Sequence, residues 1–352
     1  MAYYDGTKLL SLSDINNKKP ELYICTTNRT GGKTTYFNRY VMNRFLKFNE
    51  KFGLLFRWNN ELDEISDKFF KCIGELFFDE YEMTHKKRAK GAFYELFIGK
   101  KGDFENTCVS CGYAFALNSS DKIKKYSHLL SDICRIVFDE FQSETNDYCP
   151  NEMTKFISIH TSLARGNGKQ VKYLPVFMLS NAVSIINPYF VELGISSRLK
   201  ADTHFLKGDG FVLENGFIES ASTAQSESGF NRAFSNNKYV SYSSQNIYLN
   251  DSETFIETAS GRGKYLATIK SNEKSFAILE YQEKGIIYCS DKVDETFPFK
   301  ISVTTSDHNI NYVMLKNNDY FIQNMRFYFE RGCFRFKNLS CKDAILNLIS
   351  YR

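Results

Sequence analysis

The chain has 352 residues and a net charge of +4, with 43% hydrophobic and 24% charged residues. That length argues for about two domains with a sizeable core, and the composition is that of a globular, soluble chain rather than a disordered or fibrous one. The mild positive charge neither demands nor excludes nucleic acid, and the short basic run HKKRAK (85–90) reads as a solvated loop. No apolar run is long enough to cross a bilayer. The N-terminus, MAYYDGTKLL, lacks the basic and apolar regions of a signal peptide, so a cytoplasmic protein is expected. Nine scattered cysteines read as reduced, buried thiols. Cys108 and Cys111 form one C-x-x-C without a second pair at zinc spacing, and fit a structural pair in a strand.

In chain order, ELYICTT (21–27) predicts a buried strand. The Gly-rich stretch TTNRTGGKTT (26–35) follows it, and then Phe37, Tyr40, Val41, Phe45 and Phe48 recur at helical spacing. FGLLFRW (52–58) predicts a second strand, and ELDEISDKFFKCIGELF a helix. A strand pair follows, turning at Gly102-Asp103. DICRIVFDEF (132–141) is a buried strand ending in acids, and NEMTKFISIHTSLA (151–164) sets Met153, Phe156, Ile157, His160 and Leu163 on one helix face. YLPVFMLSNA (173–182) is a further apolar strand. Strands alternating with helices predict a mostly parallel sheet covered on both faces. From about Ile218 the composition turns to Ser, Ala and Asn without a hydrophobic period, which reads as a linker. Strand-like pieces then run from KYLATIK to FPFKISVTT, with a hairpin turn at Glu283-Lys284-Gly285, and two helices close the chain. Ser340 and Asp343 fit a capping box for the last helix. The expected division is 1–200, a linker at 201–238, and a smaller α+β domain at 239–352.

The Gly-rich stretch nearly matches the phosphate-loop pattern G-x-x-x-x-G-K-[ST], with Gly32, Lys33 and Thr34 as its last letters and Thr27 where the first glycine belongs. Such a loop cradles phosphate oxygens with backbone N–H groups at a helix N-terminus. Lys33 would reach the β- and γ-phosphates of ATP, and the Thr34 hydroxyl would hold Mg²⁺. Alone, the loop is balanced between a nucleotide site and a Gly-containing turn. The strand CRIVFDEF shifts that balance, because Asp139 can secure Mg²⁺ through water and Glu140 can polarise the attacking water. A solvated acidic strand end is the bland alternative. Ser180 and Asn181 end the next strand, where a γ-phosphate sensor could sit. Extra positive charge at the γ-phosphate could come from Arg29, Lys122 or Arg165, although spacing alone does not select them over other surface cations.

With those residues in view, the chain resembles the DNA-packaging ATPases (encapsidation proteins, terminase-like motors) of phi-twenty-nine-like podoviruses. The specific stretches are IVFDEF (136–141), YCPNE (148–152), LSNAVSIINPYF (179–190) and NRYVMNRFLKFNEKF (38–52), with fainter matches at SETFIE (252–257) and GCFRFKN (332–338). The resemblance covers most of residues 20–200 and is collinear beyond. It implies a P-loop ATPase fold of the additional-strand catalytic-glutamate type, followed by an α+β RNase H/nuclease-like domain. It implies that Thr27, Asn28, Arg29, Thr30, Gly31, Gly32, Lys33, Thr34 and Thr35 form the ATP loop, with Thr34 and Asp139 serving Mg²⁺. It further implies Glu140 as catalytic base, Asn181 as sensor, Arg57 as a nucleotide contact, and Lys122 and Arg165 acting in trans on the neighbouring subunit's ATP. Thr27 departs from the family's loop and leaves the loop's detailed turn open. The implied function is to drive double-stranded DNA into a preformed capsid. The motor would be a ring, pentameric in related phages, docked on the portal and in some members on a structural RNA. That places it in the host cytoplasm on the procapsid, and not in the mature virion.

The C-terminal domain is expected to lack nuclease activity. A two-metal nuclease needs clustered carboxylates, whereas KYLATIKSNEK ends in Lys270, Ser271 and Asn272, and Asp291 has no obvious partner. NMRFYFERGCFRFKN could stack on nucleic acid or form a helix and core strand. Other readings are a helicase-like P-loop ATPase and a non-enzymatic nucleic-acid-binding scaffold with a decayed loop. The intact Lys33, Thr34, Asp139 and Glu140 argue against decay.

Overall fold

The computed structural model describes residues 3–145, 147–165, 170–196, 198–199, 203–245, 255–271, 273–303, 307–314 and 319–350. The glycines after Arg165, Asn272, and residues 252–254 of the SETFIE match lie outside them. The chain forms two units, Met1–Asn250 and Asp251–Arg352.

The first unit begins with α1 (Thr7–Ser11), β1 (Leu22–Thr27), α2 (Lys33–Phe48), β2 (Phe52–Phe56) and α3 (Ile65–Phe77). It continues through β3 (Tyr81–Arg88), β4 (Phe93–Lys100), α4 (Phe104–Thr107), β5 (Val109–Ala116), α5 (Ser120–Lys125) and β6 (Arg135–Asp139). Then come α6 (Glu152–Leu163), β7 (Val176–Asn181), α7 (Pro188–Glu192), β8 (Phe205–Gly208) and β9 (Phe211–Asn215). Three helices close it: α8 (Glu219–Glu227), α9 (Gly229–Ala233) and α10 (Lys238–Gln245).

Nine strands make one sheet in the order β3-β4-β5-β2-β6-β7-β1-β9-β8. From β5 to β9 all neighbours are parallel, and antiparallel hairpins flank them. The central strands are buried on both faces, which is why they read as continuous apolar runs. Period-two alternation sends Ile24 to one face, with Ile136, Phe138 and Met178, and Tyr23 and Cys25 to the other, with Phe37, Val41 and Phe177. Helix α2 covers the second face through Phe37, Val41, Met42 and Phe45, and Phe48 stays exposed. Its C-cap is Asn49 in the left-handed region (φ 56°), whose N–H donates to the Phe45 carbonyl. Helix α6 buries Glu152, Phe156, Ile159 and Leu163. Ile157, expected on that face, points to solvent instead, because the packed stripe runs through 152, 156, 159 and 163.

Two expectations change here. The described part of the expected linker, residues 203–238, belongs to the first unit: β8 and β9 extend the main sheet, and α8, α9 and the start of α10 follow. FLKG and FVLEN are too short to show a period, and ESASTAQSE buries only Ala221, so its helix carries no apolar stripe. The basic run at 85–88 lies on the edge strand β3 rather than in a loop.

Glu50 ties the end of α2 to the start of β6. Its carboxylate accepts from Arg44 (2.6 and 2.7 Å) and pairs with Arg135 (2.6 Å). The Arg44 hydrogen bond, helped by Arg135, lowers its pKa to about 2. A carboxyl depressed on folding stabilises above its ordinary value of 4.5 and loses that contribution as pH falls toward about 2. Unfolding titrations between those limits should therefore be steeper for wild type than for Glu50→Gln, and coincident curves would remove Glu50 as a source of acid sensitivity.

The second unit contains β10 (Lys264–Ser271), β11 (Lys274–Tyr281), β12 (Ile286–Ser290), β13 (Lys300–Ser302), β14 (Val313–Met314), α11 (Asp319–Glu330), β15 (Phe334–Phe336) and α12 (Leu339–Ser350). The sheet order is β14-β13-β10-β11-β12-β15. Strands β10 to β12 form an antiparallel meander, and β13 and β14 add in parallel on the β10 side, an RNase H-like arrangement. Phe334 and Phe336 stack in the core with Met325 and Ile345, so the GCFRFKN stretch is a core strand after an amphipathic helix. The last helix is capped by Asn338, whose side chain accepts from Cys341 N–H at 3.0 Å, rather than by the expected Ser340/Asp343 box.

Candidate active site

Loop 26–35 leaves the C-terminal end of β1 and enters α2. Its left-handed positions are Thr30 (φ 59°) and Gly32 (φ 92°). Thr27 is still on β1, fully buried and in register with Asn181. The chain therefore turns after Thr27, and a side chain there obstructs nothing. Gly31 is needed for close approach, since a Cβ there would lie 2.9 Å from Ile218 Cγ1. Neighbouring segments hold the loop. Tyr4 N–H donates to the Gly31 carbonyl (2.8 Å), and the buried Asn28 exchanges two hydrogen bonds with the Ile218 backbone (3.0 and 2.8 Å). Thr34 and Thr35 lie in the first turn of α2.

Parallel register brings the acids and the amide to the same sheet end: Asp139 of β6 pairs with Leu179 of β7, and Asn181 of β7 with Thr27 of β1. Lys33 is buried and donates to Asn181 Oδ1 at 2.7 Å. Burial lowers its pKa, against the pull of Asp139. Burial likewise raises the pKa of Asp139, opposed by Lys33 and by hydrogen bonds from Thr34 and the Glu140 N–H (3.0 Å). Asp139 and Thr34 thus offer adjoining hard oxygens, the donor type Mg²⁺ prefers. Glu140 is open to solvent as a residue, yet the cleft walls partly desolvate its carboxyl, and Asp139, Glu144 and Glu61 add negative charge. Both effects raise its pKa.

Glu140 has a left-handed backbone (φ 53°), a conformation that needs external support. Arg57 supplies it, donating to the carbonyls of Glu140 (3.3 Å) and Phe141 (2.6 Å). Arg57 is itself buried against Glu152 (3.0 Å), which also accepts from Tyr189 Oη (2.6 Å) and Cys149 N–H (2.8 Å). Arg57 therefore sits beneath the acidic turn as its brace. A cavity of about 310 Å³ opens above, lined by Arg29, Arg57, Glu61, Glu140 and Asn181 among others.

Arg29 pairs with Glu144, and its guanidinium lies over Tyr239 (5.2 Å) and Tyr242 (5.6 Å) of α10. Tyr242 Oη also donates to Glu144 (2.8 Å), and Arg29 N–H donates to the Ser243 carbonyl (3.2 Å). Lys122 is exposed on α5. Arg165 is exposed just after α6 and lines a separate groove of about 740 Å³ with Lys124, Ser127 and His128. The geometry thus gathers Lys33, Thr34, Asp139, Glu140 and Asn181, with Arg29 at the rim, and sets Lys122 and Arg165 on other surfaces.

A family model described as the podovirus DNA encapsidation protein (Gp16) matches residues 1–351. The chain belongs to the podovirus DNA encapsidation family. It is 27% identical over 352 residues to the DNA packaging protein of Bacillus phage phi29, covering 98% of this chain and 96% of that one. The DNA packaging protein of Bacillus phage B103 is 25% identical over 320 residues, covering 87% and 89%. Its fold is similar to a chain of the bacteriophage Phi-29 viral genome packaging motor assembly, with a TM-score of 0.67, 24% identity and 99% coverage of both.

Several residues of this encapsidation protein's site were not legible beforehand. Glu152 could have been found as the one acid on the buried stripe of α6. Glu144, Tyr239 and Tyr242 carry no such signal, because they meet Arg29 from a loop and a distant helix.

Proposed function

We propose that this encapsidation protein is an ATP-hydrolysing motor that moves double-stranded DNA into a preformed capsid. The observation that carries the catalytic part is the meeting of Lys33, Thr34, Asp139, Glu140 and Asn181 at one end of a parallel sheet, directly beside a helix N-terminus. Lys33 and the loop amides bind the β- and γ-phosphates. Thr34 and Asp139 hold Mg²⁺, which neutralises phosphate charge when bound. Glu140 accepts a proton from the attacking water, its carbonyl fixed by Arg57, and Asn181 orients groups at the γ-phosphate. Arg29 lines the same cavity as Glu140 and would exchange Glu144 for a phosphate oxygen.

Lys122 and Arg165 lie away from the chain's own loop, which supports a role on a neighbour's ATP and hence a homo-oligomeric ring. Membership of a DNA encapsidation family supports action on a preformed capsid; a ring docked on the portal, a structural RNA as a further partner and a place in the host cytoplasm complete the proposal. The second unit is proposed to act without nuclease chemistry. Among the described residues no cluster of three or more His, Cys, Asp or Glu could hold a metal, and Asp291 is engaged by Lys337 and Asn338.

Complementation tests the trans arrangement. Arg165→Ala keeps its own loop but offers nothing to a neighbour, and Lys33→Ala does the reverse. Each alone should be nearly inactive as an ATPase, and mixing should restore a measurable fraction of the rate. Full activity of Arg165→Ala alone would end the proposal.

A further inference from the structure

We propose that Gln142 is a further phosphate-contacting residue, whose spare amide N–H donates to a γ-phosphate oxygen of bound ATP. This rests on the nucleotide-site reading above and adds to it a neutral donor just past the acidic turn.

Gln142 is only 3% exposed. Its Oε1 accepts from the Ser184 N–H at 2.9 Å. That contact fixes the amide, because a reversed side chain would set its NH₂ group against the Ser184 N–H, donor against donor. Nε2, on the other branch, is buried and has no hydrogen-bond partner among the described residues. A buried donor without an acceptor carries a free-energy penalty, and such groups are few in folded proteins. Here the missing acceptor has a source. Gln142 lines the cavity of about 310 Å³ together with Glu140, Ser180 and Asn181. Lys33 donates to Asn181 at 2.7 Å, so a γ-phosphate held by Lys33 stands beside this wall. Its anionic oxygens supply what Nε2 lacks.

The electrostatics favour a neutral donor in that place. Both arginines of the cavity are engaged, Arg29 by Glu144 and Arg57 by Glu152 and two backbone carbonyls. Glu61, Glu140, Glu144 and Asp147 also line the cavity, and a further cation would be drawn to them. A carboxamide carries no net charge for them to capture. Its fixed orientation meets the demand of phosphoryl transfer, which is for donors placed beforehand where charge develops. Ser184 follows Asn181 by three residues, so the same side chain ties the segment after the sensor to the acidic turn.

Two variants of the full-length protein separate a phosphate contact from a tie to Ser184. Gln142→Glu keeps an acceptor for Ser184 and loses the donor, whereas Gln142→Met loses both and adds no charge. Each should bind ADP as wild type does and bind a non-hydrolysable ATP analogue about tenfold more weakly. Single-turnover hydrolysis should slow about 10²-fold in each. Wild-type preference for the analogue over ADP in Gln142→Met would overturn the contact, whatever the new carboxylate of Gln142→Glu repels. Equal losses of ADP and analogue in both variants, the mark of a structural tie alone, would overturn it too. Lys33→Ala tests the underlying reading separately, since it should lose both nucleotides. Undiminished binding of both by Lys33→Ala defeats the nucleotide site itself, whatever the Gln142 variants do.

Discussion

Glu140→Gln is expected to bind ATP as wild type does and to turn it over about 10²–10⁴-fold more slowly. The amide keeps the shape of the side chain and its place above the Arg57 brace, but it cannot accept a proton from water. Binding should persist because Lys33 and the loop amides are untouched. The same residue sets an acid limb in the pH profile. Partial desolvation, with Asp139, Glu144 and Glu61 nearby, raises the Glu140 pKa above its ordinary 4.5. The base works only when ionised, so wild-type turnover should fall with decreasing pH before an ordinary carboxylate would titrate. The residual activity of Glu140→Gln should lack that contribution. A variant with wild-type turnover would remove Glu140 from the chemistry, and single-turnover assays after nucleotide binding would show it directly.

The second large effect is on stability. Glu152→Ala leaves the buried Arg57 without its counter-charge and the acceptor of its Nε–H, and the buried Tyr189 hydroxyl without its acceptor. Breaking a buried ion pair by removing one partner costs about 3–5 kcal/mol. For a unit of this size each kcal/mol shifts Tm by roughly 2–4 °C, so scanning calorimetry should show a clear drop in the first unit's transition. Glu152→Gln retains an acceptor for Tyr189 and should lose less. Because Arg57 also holds the Glu140 carbonyl, ATPase activity should fall in the Ala variant at temperatures where it remains folded. A shift within the scatter of surface substitutions, with unchanged turnover, would mean that Arg57 is braced without Glu152.

The central architecture was legible because its signals are long or chemically specific. LYICTT, RIVFD and VFMLSN are apolar for most of their length, and the G-K-T and D-E motifs sit at their ends. What escaped has a common cause. FLKG and FVLEN are too brief to show alternation, and α8 buries only Ala221 and so shows no apolar stripe. Arg57 was expected as a nucleotide contact, but its bracing of the Glu140 turn depends on Glu152 and Tyr189 arriving from 95 and 132 residues away, respectively. The Thr27 departure looked more serious in the sequence than it is in space, since φ is positive at Thr30 and Gly32 instead.

The edge strand β3 carries His85, Lys86, Lys87 and Arg88 at the open border of the nine-stranded sheet. Charged side chains along an unpaired border discourage a foreign strand from hydrogen-bonding there. Lys87 pairs with Asp63 and Arg88 with Glu95, so a strand arriving at this border would have to desolvate fixed ion pairs before it could bond the backbone. The sheet is closed to further extension on this side by charge rather than by a covering helix.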